Sequence, residues 1–95
     1  MVNIGDSKCK CRICGCKISV DWDIEDVSVV EKNMGEEAYY FCAYEGTCPK
    51  CGNAISVEMR FCEYPPGVLE SAPFIDNSKN TVEKITIPEI RFNDL

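Results

Sequence analysis

The chain has 95 residues, 16 acidic against 10 basic, and a formal net charge of −6. A chain of this length makes one small domain whose core alone is marginal, and its acidic balance opposes broad contact with a phosphate backbone. It carries eight cysteines and no histidine, which removes the usual neutral general base and the mixed ligand sets of catalytic zinc.

In chain order, Lys8 to Lys17 reads K-C-K-C-R-I-C-G-C-K, with Lys8, Lys10, Arg12 and Lys17 and no acid among them. From Lys17 to Asp26, Ile18, Val20, Trp22 and Ile24 alternate with Ser19, Asp21, Asp23 and Glu25, which predicts a half-buried strand. Val27 to Val30 is β-branched and continues it after a bend. Glu31 to Glu37 is a turn, with Asn33 and Gly35 as breakers. Ala38 to Tyr44 is aromatic-rich and strand-like. Asn53 to Phe61 alternates again, with Ile55, Val57, Met59 and Phe61 on one face. It is expected to pair antiparallel with Ala38–Tyr44.

After Cys62 the pattern changes. Glu63-Tyr64-Pro65-Pro66-Gly67 interrupts the sheet, because proline cannot donate to a ladder. Ser71 to Asn80 reads as a loop. Thr81 to Phe92 recovers apolar alternation at Ile85, Ile87, Ile90 and Phe92, across Pro88. Two readings stand for it, an edge strand blunted by proline or an extended arm that docks on a partner. The expected division is residues 1–64 as a four-cysteine domain and residues 65–95 as a C-terminal extension.

Chemistry concentrates in two Cys-x2-Cys pairs, Cys11/Cys14 and Cys48/Cys51, each followed by a glycine, Gly15 and Gly52. Each pair is a tight turn that aims two sulfurs at one point. Two such turns supply four thiolates, a ligand set suited to a closed tetrahedral structural metal site. A disulfide framework is the competing reading. The polar N-terminus, the lack of any apolar run of about 18 residues and the paired spacing favour reduced thiols in a cytoplasmic compartment.

Four cysteines remain. Cys9 and Cys16 lie equally far from the first pair and would face each other across a symmetric hairpin, as spare thiols, an oxidisable pair or substitute ligands. Cys42 and Cys62 read as small apolar core residues. A second metal held by all four is the remaining alternative.

The two knuckles on predicted hairpins resemble the zinc-ribbon family, over residues 8 to 64, with Cys11, Cys14, Cys48 and Cys51 at its four ligand positions. The resemblance implies a small mostly-β zinc ribbon, a three- to four-stranded antiparallel sheet binding one Zn2+. The runs V-S-V-V-E-K-N-M-G-E-E-A-Y-Y-F, C-P-K-C-G-N-A-I and C-E-Y-P-P-G are similar to small bacterial ribbon modules, which occur alone or attached to nucleases and other defence proteins. C-x2-C-G with C-P-x-C-G also resembles rubredoxins, which hold Fe and carry an electron. Gly46 stands where rubredoxins usually keep an aromatic, and the connection between the knuckles is long.

No nucleophile-elbow, P-loop or dinucleotide motif is present, so no enzyme activity is expected. Metal-bound thiolates add four negative charges and zinc two positive ones, bringing the formal −6 nearer to −8. A protein partner or self-association is the leading expectation. A nucleic-acid-binding ribbon using Lys8, Lys10, Arg12 and Lys17 is the alternative, although these cations also offset thiolate charge. The acids Asp21, Asp23, Glu25 and Asp26 fit a solvated face or a basic partner. The aromatics Trp22, Tyr39, Tyr40, Phe41, Tyr44, Phe61 and Tyr64 fit packing more readily than base stacking.

Overall fold

The computed structural model describes residues 2–92. They form a small all-β fold with a zinc-ribbon-like topology, in which every strand pairing is antiparallel. The strands are β1 (Val2–Ile4), β2 (Ser7–Cys11), β3 (Lys17–Val20), β4 (Asp23–Lys32), β5 (Gly35–Thr47), β6 (Ala54–Glu63), β7 (Phe74–Asp76), β8 (Val82–Glu83) and β9 (Ile90–Phe92). One sheet has the order β4-β5-β6-β7 and a second β3-β2-β8, while β1 and β9 form a two-stranded ribbon.

Period-two patterning decides which side chains go inside. Along β2, Ser7, Cys9 and Cys11 are buried, as are Ile18 and Val20 of β3. Ile55, Val57, Met59 and Phe61 of β6 bury the alternating face read from the sequence. These residues join Trp22, Cys42, Cys48 and Val82 in one core. Trp22 Nε1 donates to Ser7 Oγ at 2.9 Å, so the buried indole and the buried hydroxyl satisfy each other. Tyr40 stacks on Phe61 with ring centroids 4.7 Å apart, and Phe92 packs at 6.3 Å from Phe61.

Three expectations change in detail. The strand expected from Lys17 to Asp26 is two strands in two sheets: β3 pairs with β2, whereas β4 pairs with β5. The chain changes sheets at Asp21–Trp22, so Trp22 is buried but Ile24, beside a register shift, is exposed. Part of the Ser71–Asn80 loop is β7, which pairs with β6. Between Thr81 and Phe92 lie two short strands on different partners, β8 on β2 and β9 on β1. Pro88 separates them and has no N–H to continue a ladder.

The principal extents are 49 × 22 × 18 Å and the radius of gyration is 14.7 Å, against about 12 Å for a compact chain of this length. The elongation goes with the β4–β5 hairpin, where all ten residues of β4 are exposed.

Truncating Met59, which is fully buried, is expected to cost about 2–5 kcal/mol. Val29→Ala on exposed β4 should stay within about 0.5 kcal/mol. Urea denaturation of the metal-loaded chain checks both, and equal costs would contradict this assignment of core and arm.

Candidate metal centre

The β2–β3 and β5–β6 hairpins each carry one knuckle, and the two share a local geometry. The Cys11 N–H donates to Cys16 O at 2.9 Å and the Gly15 N–H to Cys11 O at 2.9 Å. In the second knuckle the Cys48 N–H donates to Asn53 O at 2.9 Å and the Gly52 N–H to Cys48 O at 2.9 Å. Gly15 and Gly52 have φ of 73° and 78°, left-handed conformations that glycine adopts without steric cost.

This turn uses two more residues after each cysteine pair than before it, Gly15 and Cys16 in the first and Gly52 and Asn53 in the second. The ladder therefore closes on Cys11 opposite Cys16 and runs on to Cys9 opposite Ile18. The symmetric placement expected for Cys9 and Cys16 is thus corrected, and they do not face each other in the ladder. Cys9 is buried, and burial raises its thiol pKa.

The two knuckles meet. Cys11, Cys14, Cys48 and Cys51 place their sulfurs within 4.8 Å of one another. Across the knuckles, Cys11 Sγ lies 3.6 Å from Cys51 Sγ and Cys14 Sγ lies 3.6 Å from Cys48 Sγ. A tetrahedron with metal–sulfur bonds near 2.3 Å has sulfur–sulfur edges of about 3.8 Å. The donor set and spacing therefore fit one four-coordinate soft metal ion, and the cluster is capable of coordinating it. Cys11 and Cys48 are buried while Cys14 and Cys51 are exposed, so the centre lies at the surface of the core.

Backbone amides lower the thiol pKa of Cys48 and of Cys11. For Cys48, the Cys51 amide and then the Lys50 amide lower the thiol pKa to about 6. For Cys11 the Cys14 amide is the strongest influence, aided by that of Ile13, and its pKa is also lowered. At Cys51 the Asn53 amide pulls downward. Burial and the sulfurs of Cys11, Cys14 and Cys48 outweigh it and push the value up to about 12. Four sulfurs this close cannot all ionise without a cation between them. The N-terminal lysines are not among the leading influences on Cys11, Cys48 or Cys51.

The outer contacts were not legible in the sequence. Asn53 Nδ2 donates to Cys11 Sγ at 3.7 Å and to Thr81 O at 3.4 Å. Thr81 O also accepts from the Arg12 N–H at 3.1 Å. The Thr81 hydroxyl accepts from the Ser56 N–H and donates to Ser56 O, both at 3.1 Å. Thr81 thus ties the two knuckle-bearing hairpins together beside the sulfurs. Cys16 stands in the first knuckle where Asn53 stands in the second, and its thiol pKa is raised by burial and then by Cys48, the counterpart of Cys11. Only the shared offset of 37 residues between Cys11 and Cys48 and between Cys16 and Asn53 hints at this pairing.

The remaining thiols do not build a second centre together. Cys42 is buried opposite Met59 and Cys62 is half-buried opposite Tyr39. Among the described residues the other ligand-type cluster is Glu37, Cys62 and Glu70. There the Glu37 carboxylate is already engaged by the Tyr39 hydroxyl and by Lys32 Nζ at 3.0 Å. Gly46 is packed under Tyr44, whose hydroxyl would lie 2.6 Å from any added Cβ.

Comparison with protein-family models, curated proteins and solved structures found no match. The reading of the centre therefore rests on its own geometry.

Metal affinity should fall steeply as pH drops from 7.5 to 5.5 (about two units), because protons compete for thiolates. Cys48→Ser should cut metal content and melting temperature together. An unchanged metal content in Cys48→Ser, measured by elemental analysis, would remove the centre from this account. Asn53→Ala should weaken metal binding about 10- to 100-fold in a chelator competition. Cys16→Asn, which copies the second knuckle into the first, should retain the metal.

Proposed function

We propose that the chain is a non-catalytic, cytoplasmic protein-interaction module built on one structural zinc ion, acting in a bacterial defence or mobile-element setting. The observation that carries the interaction reading is β4. It is the edge of the four-stranded sheet and exposed along all ten residues. It displays Ile24, Val27, Val29 and Val30, each 41–51% exposed. An open edge bearing apolar side chains invites another strand. Asp23, Glu25, Asp26 and Glu31 share this strand, which favours a partner segment with basic flanks and discourages pairing between copies.

The non-catalytic reading is supported by the all-cysteine ligand set, which leaves no open coordination position, and by the lack of histidine. Zinc is favoured over iron because Gly46 stands where rubredoxins usually keep an aromatic and because the connection between the knuckles is long. Reduced thiols suit the cytoplasm. The bacterial defence setting rests on the resemblance of runs within residues 27–67 to small bacterial ribbon modules.

The test is affinity capture from the host cell with the wild-type chain and with a Val29→Glu, Val30→Glu variant. Both should bind one zinc ion and melt alike, since both positions are exposed. The variant should lose a protein that the wild type retains. Identical retention by the two, or a monomer that retains nothing, rejects the β4 reading. A red-brown chain with a visible absorption band rejects zinc.

A further inference from the structure

One depression of about 500 Å3 is lined by Lys8, Lys10, Lys17, Lys84, Ser19 and Thr86 over Cys9 and Ile18. Its volume falls in the range of small-molecule sites, about 300–1,000 Å3. Four ammonium groups around one cavity are unexpected in a chain of net charge −6. The register explains how they gather. Lys8 opposes Ser19 and Lys10 opposes Lys17 across β2 and β3. On the other side of β2 the chain after β8 is held to Lys8: the Lys8 N–H donates to Thr86 Oγ1 and the Thr86 N–H to Lys8 O, both at 2.9 Å. That places Lys84 beside the same depression. Arg12, which the sequence grouped with these lysines, instead donates to Asn80 Oδ1 and does not line it.

Two features set this group apart from an ordinary solvated surface. Like charges directly opposite in a ladder repel, yet Lys10 and Lys17 are opposed. Glu83 is in register with Lys10, but the ion pairs formed among the described residues involve Lys32, Arg60 and Arg91, and none of these four lysines. Lys84 also has φ of 54°, a left-handed backbone costly for a residue with a Cβ. The hydroxyls add donors. Ser19 Oγ accepts from Lys8 Nζ at 2.7 Å and Thr86 Oγ1 accepts from the Lys8 N–H, so each O–H remains available to an anion.

We propose that this depression is a binding site for a small oligophosphate, held by Lys8, Lys10, Lys17 and Lys84 with the Ser19 and Thr86 hydroxyls. Lysine is a strongly hydrated point charge that suits phosphate. Several linked phosphates match four ammonium groups better than one phosphate does. A compact ligand is favoured over a nucleic-acid strand because four of the ten cations gather at this one depression. A strand leaving it would cross a protein with an excess of acids, including exposed Asp21 and Asp23 just beyond β3, and phosphate contacts must extend along a strand to hold it.

The experiment is calorimetric titration and thermal melting of the metal-loaded full chain with inorganic tripolyphosphate, orthophosphate and a short oligothymidylate at matched ionic strength. Tripolyphosphate should bind most tightly, raise the melting temperature and lose affinity as salt rises. Lys17→Gln and Lys84→Gly should each weaken it about tenfold or more, while Arg91→Gln should not. Lys84→Gly should melt at the same or a higher temperature, because glycine accepts the left-handed backbone. Its lost affinity would then not reflect unfolding. No binding of tripolyphosphate, tighter binding of oligothymidylate, or unchanged affinity in both lysine variants would overturn the proposal.

Discussion

The structure depends on one constraint: sulfurs from two hairpins far apart in sequence converge on one point. Cys11 and Cys51 are 40 residues apart and their sulfurs are 3.6 Å apart. Backbone amides of Cys51 and Lys50 lower the Cys48 pKa to about 6, while burial and the neighbouring sulfurs raise that of Cys51 to about 12. With a metal, the same spacing becomes a closed coordination shell. The binding free energy of a structural metal is about 10–16 kcal/mol in small zinc-finger peptides. That rivals the whole net stability of an ordinary domain, about 5–15 kcal/mol. The centre also closes long loops, and so restricts the unfolded chain most where the fold is least local.

Around this point the fold builds near-symmetry from unequal parts. The knuckles share one hydrogen-bond pattern and one glycine conformation, yet their hairpins differ. β2 and β3 are short and pack inward. β5 and β6 are long, and β5 continues into an exposed arm with β4. Thr81, from the segment before β8, bridges the two hairpins through Arg12, Asn53 and Ser56. The C-terminal segment is therefore part of the support of the sulfurs, and Val82 beside it is fully buried.

Charge is divided in the same way. The acids of β4 are displayed on an open edge, whereas Lys8, Lys10, Lys17 and Lys84 surround one depression on the other sheet. An acidic edge and a basic depression thus share one small body.

The sequence by itself determined the four sulfurs, the glycines that turn behind them, the buried face of β6 and its pairing with β5. Each of these is local: a spacing of three, a residue needed at positive φ, or an alternation of period two. Only the tertiary structure decided the rest. Whether Ile24 is buried depended on the chain changing sheets at Trp22. Whether Cys9 faces Cys16 depended on the two extra residues that the knuckle turn consumes. Asn53, Thr81 and Lys84 acquire their roles from neighbours 25 to 76 residues away, counted from Thr81–Ser56 to Lys84–Lys8. No local pattern encodes such contacts, because they form where separate sheets meet.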